Sequence, residues 1–172
     1  MTVLLEGRLQ FTFGAASLVT KYDDWSFFRN QFQNICGGAK AVDMLCLSGK
    51  TCWLIEIKDY RQHPRTKPQD IGDEMAIKVR DTLAGLFAAC CNAHNQDEKA
   101  FAQQALRSTR IKVVLHLEQP QKHSRLFPRA IDPAAVLQSL KRQLKAIDAH
   151  PAVVNKNSLS GKMDWQVNDV SP

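Results

Sequence analysis

Hydrophobic and polar residues along the chain switch between a period of two and a period of three to four, and the switches mark its elements. From Arg8 to Phe13 apolar and polar positions alternate. Residues 2–13 therefore read as one strand or a strand pair before Gly14, with residues 17–22 extending the pairing. Over residues 21–35 the apolar side chains Tyr22, Trp25, Phe28, Phe32 and Ile35 recur every three or four positions. That spacing predicts an amphipathic helix, with Asp23 and Asp24 in its first turn, where the dipole favours carboxylates, and Gly37-Gly38 at its end. Two nearly unbroken apolar runs follow, at about 40–47 and 51–58, and read as a hairpin. Asp70 or Asp73 then caps a long helix to about Asn92, residues 99–107 make a short helix, and residues 111–117 (IKVVLHL) make a strand. Residues 118–133, with three prolines and several basic side chains, read as a loop. Residues 133–149 form a basic amphipathic helix with Val136, Leu137, Leu140, Leu144 and Ile147 on one face, and MDWQV near the end offers a short edge strand. This order predicts an α/β fold with a mixed sheet in a single domain spanning 1–172.

The hairpin departs from its own pattern at three positions. Asp43, Glu56 and Lys58 are charges inside runs that are otherwise apolar, and charges are seldom buried unless paired or bound to a metal. Gly49 suits the first position of a two-residue type II′ turn, with Lys50 second. That turn sets Ser48 against Thr51, and counting back sets Asp43 against Glu56 and Ala41 against Lys58. Facing carboxylates about 4.5–5.5 Å apart at Cβ repel and call for a cation between them. Lys58, two residues after Glu56, shares its face. A hard, oxygen-ligated ion such as Mg²⁺ accepts one or two carboxylates and keeps waters for exchange with a phosphate oxygen. Lys58 then stands ready to stabilise charge on that phosphate, and burial beside a metal is expected to depress its pKa enough for limited proton transfer.

Composition adjusts this picture only modestly. Of 172 residues, 44% are hydrophobic and 23% charged, as in ordinary globular chains. No apolar run approaches a bilayer span and the N-terminus lacks a secretory pattern, so a cytoplasmic protein with no membrane partner is expected. Five cysteines without CxxC spacing fit a reducing compartment, and Cys90, Cys91 and His94 are poorly spaced for zinc. His63, His94, His116, His123 and His150 show no ligand spacing, and His116 reads as a core or edge histidine. Trp25, Trp53 and Trp165 read as core. The net charge of +6 favours an anionic partner, and Arg61, Arg65 and Lys67 follow directly on the hairpin. Lys78 or Arg80 on the next helix would reach the phosphate, against a plain solvated helix face as the commoner fate of such residues.

Asp43, a twelve-residue gap and then Glu56-Ile57-Lys58 on the next strand resemble the signature of the PD-(D/E)xK, or restriction-endonuclease-like, nuclease superfamily, over residues 23–117. IEIKDYR is similar to uncharacterised bacterial members of that group. The resemblance implies a restriction-endonuclease-like mixed central sheet flanked by helices, with residues 118–172 as a C-terminal helix and tail. It implies Asp43, Glu56 and the Ile57 carbonyl as metal ligands, Lys58 as the catalytic lysine, Mg²⁺ or Mn²⁺ as cofactor, and DNA, or else RNA, as substrate. A nuclease this small often works as a homodimer. Val42 stands where the family has proline, and no QxxxY element follows the lysine. Residues 33–40 are too short for the strand that many relatives place before the aspartate, which residues 2–21 would then supply. Asp24 is the candidate for the acid often donated by the first helix, against a plain helix-start role for Asp23 and Asp24. Two other classes compete: a nucleic-acid-binding or assembly subunit without activity, and an interaction protein in which the three charges form a structural ion-pair network.

Overall fold

The computed structural model describes residues 1–120 and 131–170. Most of the expected loop over 118–133, and His123 within it, lies outside the described residues. The hairpin forms from β4 (Met44–Ser48) and β5 (Thr51–Asp59), paired Ser48 to Thr51 through Met44 to Ile55. Gly49 has φ +57° and Lys50 does not have positive φ, as a type II′ turn requires. The ladder begins later than the sequence implies. Met44 is the first paired residue, and Ala41 and Val42 leave the sheet because the Val42 N–H turns to Thr82 Oγ1 on a helix, 3.1 Å away.

Around the hairpin, β3 (Leu18–Lys21) pairs antiparallel with β4, while β6 (Arg110–Glu118) lies parallel to β5 and β7 (Ala152–Val154) parallel to β6. The result is a five-stranded mixed sheet in the order β3-β4-β5-β6-β7. A second, antiparallel sheet combines β1 (Thr2–Glu6), β2 (Leu9–Phe13) and β8 (Trp165–Asp169), in the order β1-β2-β8. β8 contains the Trp-Gln-Val expected as an edge strand.

Both faces of the hairpin are covered, as its double apolar pattern requires. Met44, Cys46, Ile55 and Ile57 pack with Phe11, Phe13, Trp165 and Val167 of the small sheet. Leu45, Leu47, Cys52 and Leu54 face the helices: α1 (Ile71–Asn92), α2 (Gln96–Leu106) and α3 (Pro133–Gln143). Asp70 caps α1 through the N–H groups of Gly72 and Asp73, and Asn95 caps α2 through those of Asp97 and Glu98. α3 stops at Gln143, short of the expected end, yet Leu144 and Ile147 still pack on the core from the turns that follow.

The expected helix over 21–35 is the main correction. The segment is a 3₁₀ turn (Tyr22–Asp24), a π-helical turn (Phe28–Phe32) and a second 3₁₀ turn (Ile35–Gly37). Tyr22, Trp25, Phe27, Phe28 and Phe32 are all buried. A regular α-helix would turn adjacent Phe27 and Phe28 about 100° apart and could not seat both with Phe32. In the wider turn the Gln33 N–H reaches the Phe28 carbonyl at 2.7 Å, and the Phe27 and Phe32 rings stack at 6.2 Å. Ile35, counted on the apolar face, is 40% exposed.

Candidate functional site

Asp43, Glu56 and Lys58 meet where β4 ends and β5 runs on, against the first turns of α1. Continuing the ladder past Met44 and Ile55 places Asp43 opposite Glu56. Val42, which would have accepted the next main-chain hydrogen bond from Ile57, has turned away. Asp43 fills that role with its side chain: its Oδ2 accepts from the Ile57 N–H at 2.6 Å. Because the N–H and C=O of a strand residue point to the same side, the Ile57 carbonyl faces the same gap beyond β4.

α1 supplies the opposing charges. Glu74, Lys78 and Thr82 lie four residues apart and so share a helix face. Lys78 Nζ donates to Glu56 Oε1 at 2.5 Å and lies 3.6 Å from Asp43 Oδ1. Lys58 Nζ is 2.7 Å from the same Glu56 oxygen and 3.6 Å from Glu74 Oε1. Negative and positive charges thus alternate across the strand–helix contact. Glu56 is fully buried, and its Oε2 has no hydrogen-bond partner among the described residues.

Burial, followed by repulsion from Asp43, pushes the Glu56 carboxyl up to about 7 despite the two lysines. Burial likewise raises Asp43, against the pull of Lys78 and the Ile57 N–H. Without a metal beside it, Lys58 shifts the opposite way from the depression expected beside a bound ion. Burial does act to lower its pKa, but Glu56, with Glu74 and Asp43 behind it, outweighs burial and holds it above the ordinary lysine value. At neutral pH Lys58 is an ammonium.

Of the two neighbouring acids, Asp23, read from the sequence only as a helix-start charge, is the one whose carboxyl feels Asp43. Asp24, the candidate, pairs with Arg29 and Lys21. Asp23 has a buried Oδ1 without a partner among the described residues, and burial, with Asp43 as the next cause, pushes it up to about 6. The Tyr22 N–H donates to the Asp43 carbonyl at 3.0 Å, which ties this turn to the start of β4. Glu74 was missed, although its i,i+4 spacing to Lys78 is visible in the sequence.

All four residues expected to bind nucleic acid hold carboxylates. Arg61 pairs with Asp59 at 2.6 Å and with Asp169 of β8, which joins the two sheets. Arg65 and Lys67 both bind Glu74, at 2.8 and 3.0 Å. Lys78 is committed to Glu56 and Asp43. Among the described residues no group of three or more His, Cys, Asp or Glu is arranged to hold a metal ion, and Cys90, Cys91 and His94 form no such group. His116 is core, its Nε2 3.0 Å from Glu118 Oε1. A hollow of about 700 Å³ lies along β3 and α2, with Asp24 and Trp25 in its wall, and not over the acidic pair. Among the described residues no helix is long and apolar enough to cross a membrane.

No protein-family model matches the chain, and no solved structure matches it. A curated protein named Cysteine--tRNA ligase, from Neisseria meningitidis serogroup A / serotype 4A (strain DSM 15465 / Z2491), is 37% identical over 168 residues, covering 80% of this chain and 24% of that protein. The chain thus spans about a quarter of the length of the curated relative it matches.

Proposed function

We propose that this protein is a Mg²⁺- or Mn²⁺-dependent nuclease of the PD-(D/E)xK type that hydrolyses phosphodiester bonds of DNA. The observation that carries this reading is the buried, unpartnered Oε2 of Glu56 beside Asp43 and Lys58. Leaving a carboxylate oxygen so placed costs on the order of 1–3 kcal/mol, and a cation bound there would recover it.

The donor set fits a hard divalent ion in kind: the Glu56 and Asp43 carboxylates and the Ile57 carbonyl would supply its oxygen ligands, with Asp23 as a further acid whose carboxyl feels Asp43. When bound, such an ion supplies Lewis-acid polarisation of a phosphoryl oxygen and a coordinated water of lowered pKa. The side chains account for the rest. Lys58, charged at neutral pH, donates hydrogen bonds to a phosphoryl oxygen and balances the charge that develops there. Lys78 holds Glu56 and Asp43 in place from α1. Arg65 and Lys67, both near Lys58 through Glu74, supply positive charge for the polynucleotide backbone.

The test is incubation of wild type and Lys58→Ala with plasmid DNA, single-stranded DNA and transfer RNA, in Mg²⁺, Mn²⁺ or EDTA. Metal-dependent cleavage by wild type, lost in the variant, is expected. Equal cleavage by the two proteins would remove Lys58 from the mechanism. A second reading, a non-catalytic RNA-binding module, is favoured by the relative's name, which concerns tRNA. It predicts salt-sensitive tRNA binding that survives EDTA, with no cleavage.

A further inference from the structure

Glu74 is 3% exposed, and three cations converge on it from two directions. Lys58 reaches it from the end of β5. Arg65 and Lys67 reach it from the strap of residues 61–70 that joins β5 to α1. Two observations separate the strap cations. Arg65 is 10% exposed and triply held: Nη1 donates to Tyr60 Oη at 3.0 Å, and Nη2 donates to the Gln69 carbonyl at 2.7 Å and to Glu74 Oε2. Lys67 is 62% exposed and has one polar partner among the described residues, Glu74 Oε1. One carboxylate thus holds two strap cations that have no other carboxylate among the described residues, next to the lysine that would meet the phosphate.

We propose that Glu74 is a positioning residue for the reaction proposed above. From α1 it orients Lys58 beside Glu56 and pins the strap at the edge of the site, with Lys67 as the cation that transfers from Glu74 to an incoming phosphate. This inference rests on the nuclease reading for its kinetic consequence but not for its structural one. Arg65 stays in place because leaving would forfeit its bonds to Tyr60 and Gln69 as well as that to Glu74, whereas Lys67 exchanges one charge partner for another. Glu74 touches no reacting atom. It acts through Lys58 and the strap.

Glu74→Gln keeps the shape and removes the charge, while Glu74→Asp keeps the charge. In limited trypsin digestion of the full chain, Glu74→Gln is expected to be cut at the Arg65–Thr66 bond on the order of ten times faster than wild type, with Glu74→Asp closer to wild type. In cleavage kinetics Glu74→Gln should lose between about tenfold and a hundredfold in kcat, because Lys58 is no longer held from the helix side. KM should not rise, because Lys67 is released to the polynucleotide while Arg65 keeps Tyr60 and Gln69. Unchanged proteolysis in Glu74→Gln would overturn the strap, and an unchanged kcat would overturn the orientation of Lys58. If wild type cleaves no polynucleotide, the nuclease reading fails on its own. The proposal is then decided by the trypsin comparison together with DNA binding in EDTA, where Glu74→Gln should steepen the salt dependence and an unchanged slope would overturn it.

Discussion

Gly85→Ala tests how the aromatic turn before β4 sets the position of the acidic residues. Gly85 lies in the buried face of α1, and a Cβ built on it would stand 2.1 Å from Tyr22 Oη and 3.2 Å from Phe32 Cε1. Alanine gains about 1 kcal/mol of helix propensity over glycine. A contact of 2.1 Å lies far inside van der Waals range, so overpacking costs toward the upper end of about 1–3 kcal/mol. Wild type should therefore lose about 2 kcal/mol on Gly85→Ala. The obstacle is a single atom. Tyr22 Oη is buried, has no hydrogen-bond partner among the described residues, and burial, ahead of Glu98 and Asp81, keeps it a phenol. Tyr22→Phe removes that atom together with the cost of burying it unpaired, so it should be neutral or stabilising by about 1 kcal/mol. In the Tyr22→Phe background Gly85→Ala then meets only the Phe32 edge and should cost close to nothing. Urea unfolding of the four proteins gives the coupling, expected at about 2 kcal/mol. Equal destabilisation by Gly85→Ala in both backgrounds would refute the reasoning. Because the Tyr22 N–H holds the Asp43 carbonyl, Gly85→Ala should also lower cleavage, and Tyr22→Phe should not.

Two further outcomes follow from the same interior. In metal-free buffer Glu56 and Asp23 keep their protons in the folded chain up to about 7 and about 6, whereas unfolded carboxyls release them near 4. Folded protein therefore binds more protons across this window, and stability falls as pH rises from about 5 to 8. Glu74 acts in the opposite direction. Burial would raise it, but hydrogen bonds from Lys67 and Arg65 bring it to about 2, so its contribution is lost only as pH falls from about 4.5 toward that value. Urea midpoints should drop between pH 5 and pH 8, with a flatter slope in Glu56→Gln, and a midpoint that rises over this range would contradict the assignment. Burial raises the Cys46 and Cys52 thiols to about 11 and about 12, while Cys36 and Cys91 are exposed. A thiol reagent at pH 8 should label Cys36 and Cys91 quickly and Cys46 and Cys52 only on unfolding; prompt labelling of Cys52 would show the hairpin open.

The hairpin was legible because one glycine fixes it. Gly49 selects the turn, the turn sets the register, and the register carries Asp43, Glu56 and Lys58 to one place. The covered faces of β4 and β5 were legible for the same reason. What failed was local geometry under crowding. Tyr22 to Ile35 has the spacing of an α-helix, but five buried aromatics forced 3₁₀ and π turns, and in this geometry Asp24 pairs with Arg29 and Lys21 while Asp23 is the acid whose carboxyl feels Asp43. β7 is three residues long and too short to show a period. The basic run after the hairpin was legible as charge and not as contact. The partners of Arg61 and Arg65 lie up to 108 residues away, on β8 and α1, and only the fold reveals them.

The central claim is that the buried carboxylate pair is built to take a divalent ion. Mn²⁺ titration followed by electron paramagnetic resonance, on wild type, Asp43→Asn and Glu56→Gln, tests this without relying on cleavage. Wild type should take up one Mn²⁺ per chain, with protons released as Glu56 gives up its hydrogen, and both variants should bind at least about tenfold more weakly. Free Mn²⁺ throughout the wild-type titration, or equal uptake by all three proteins, would contradict the account.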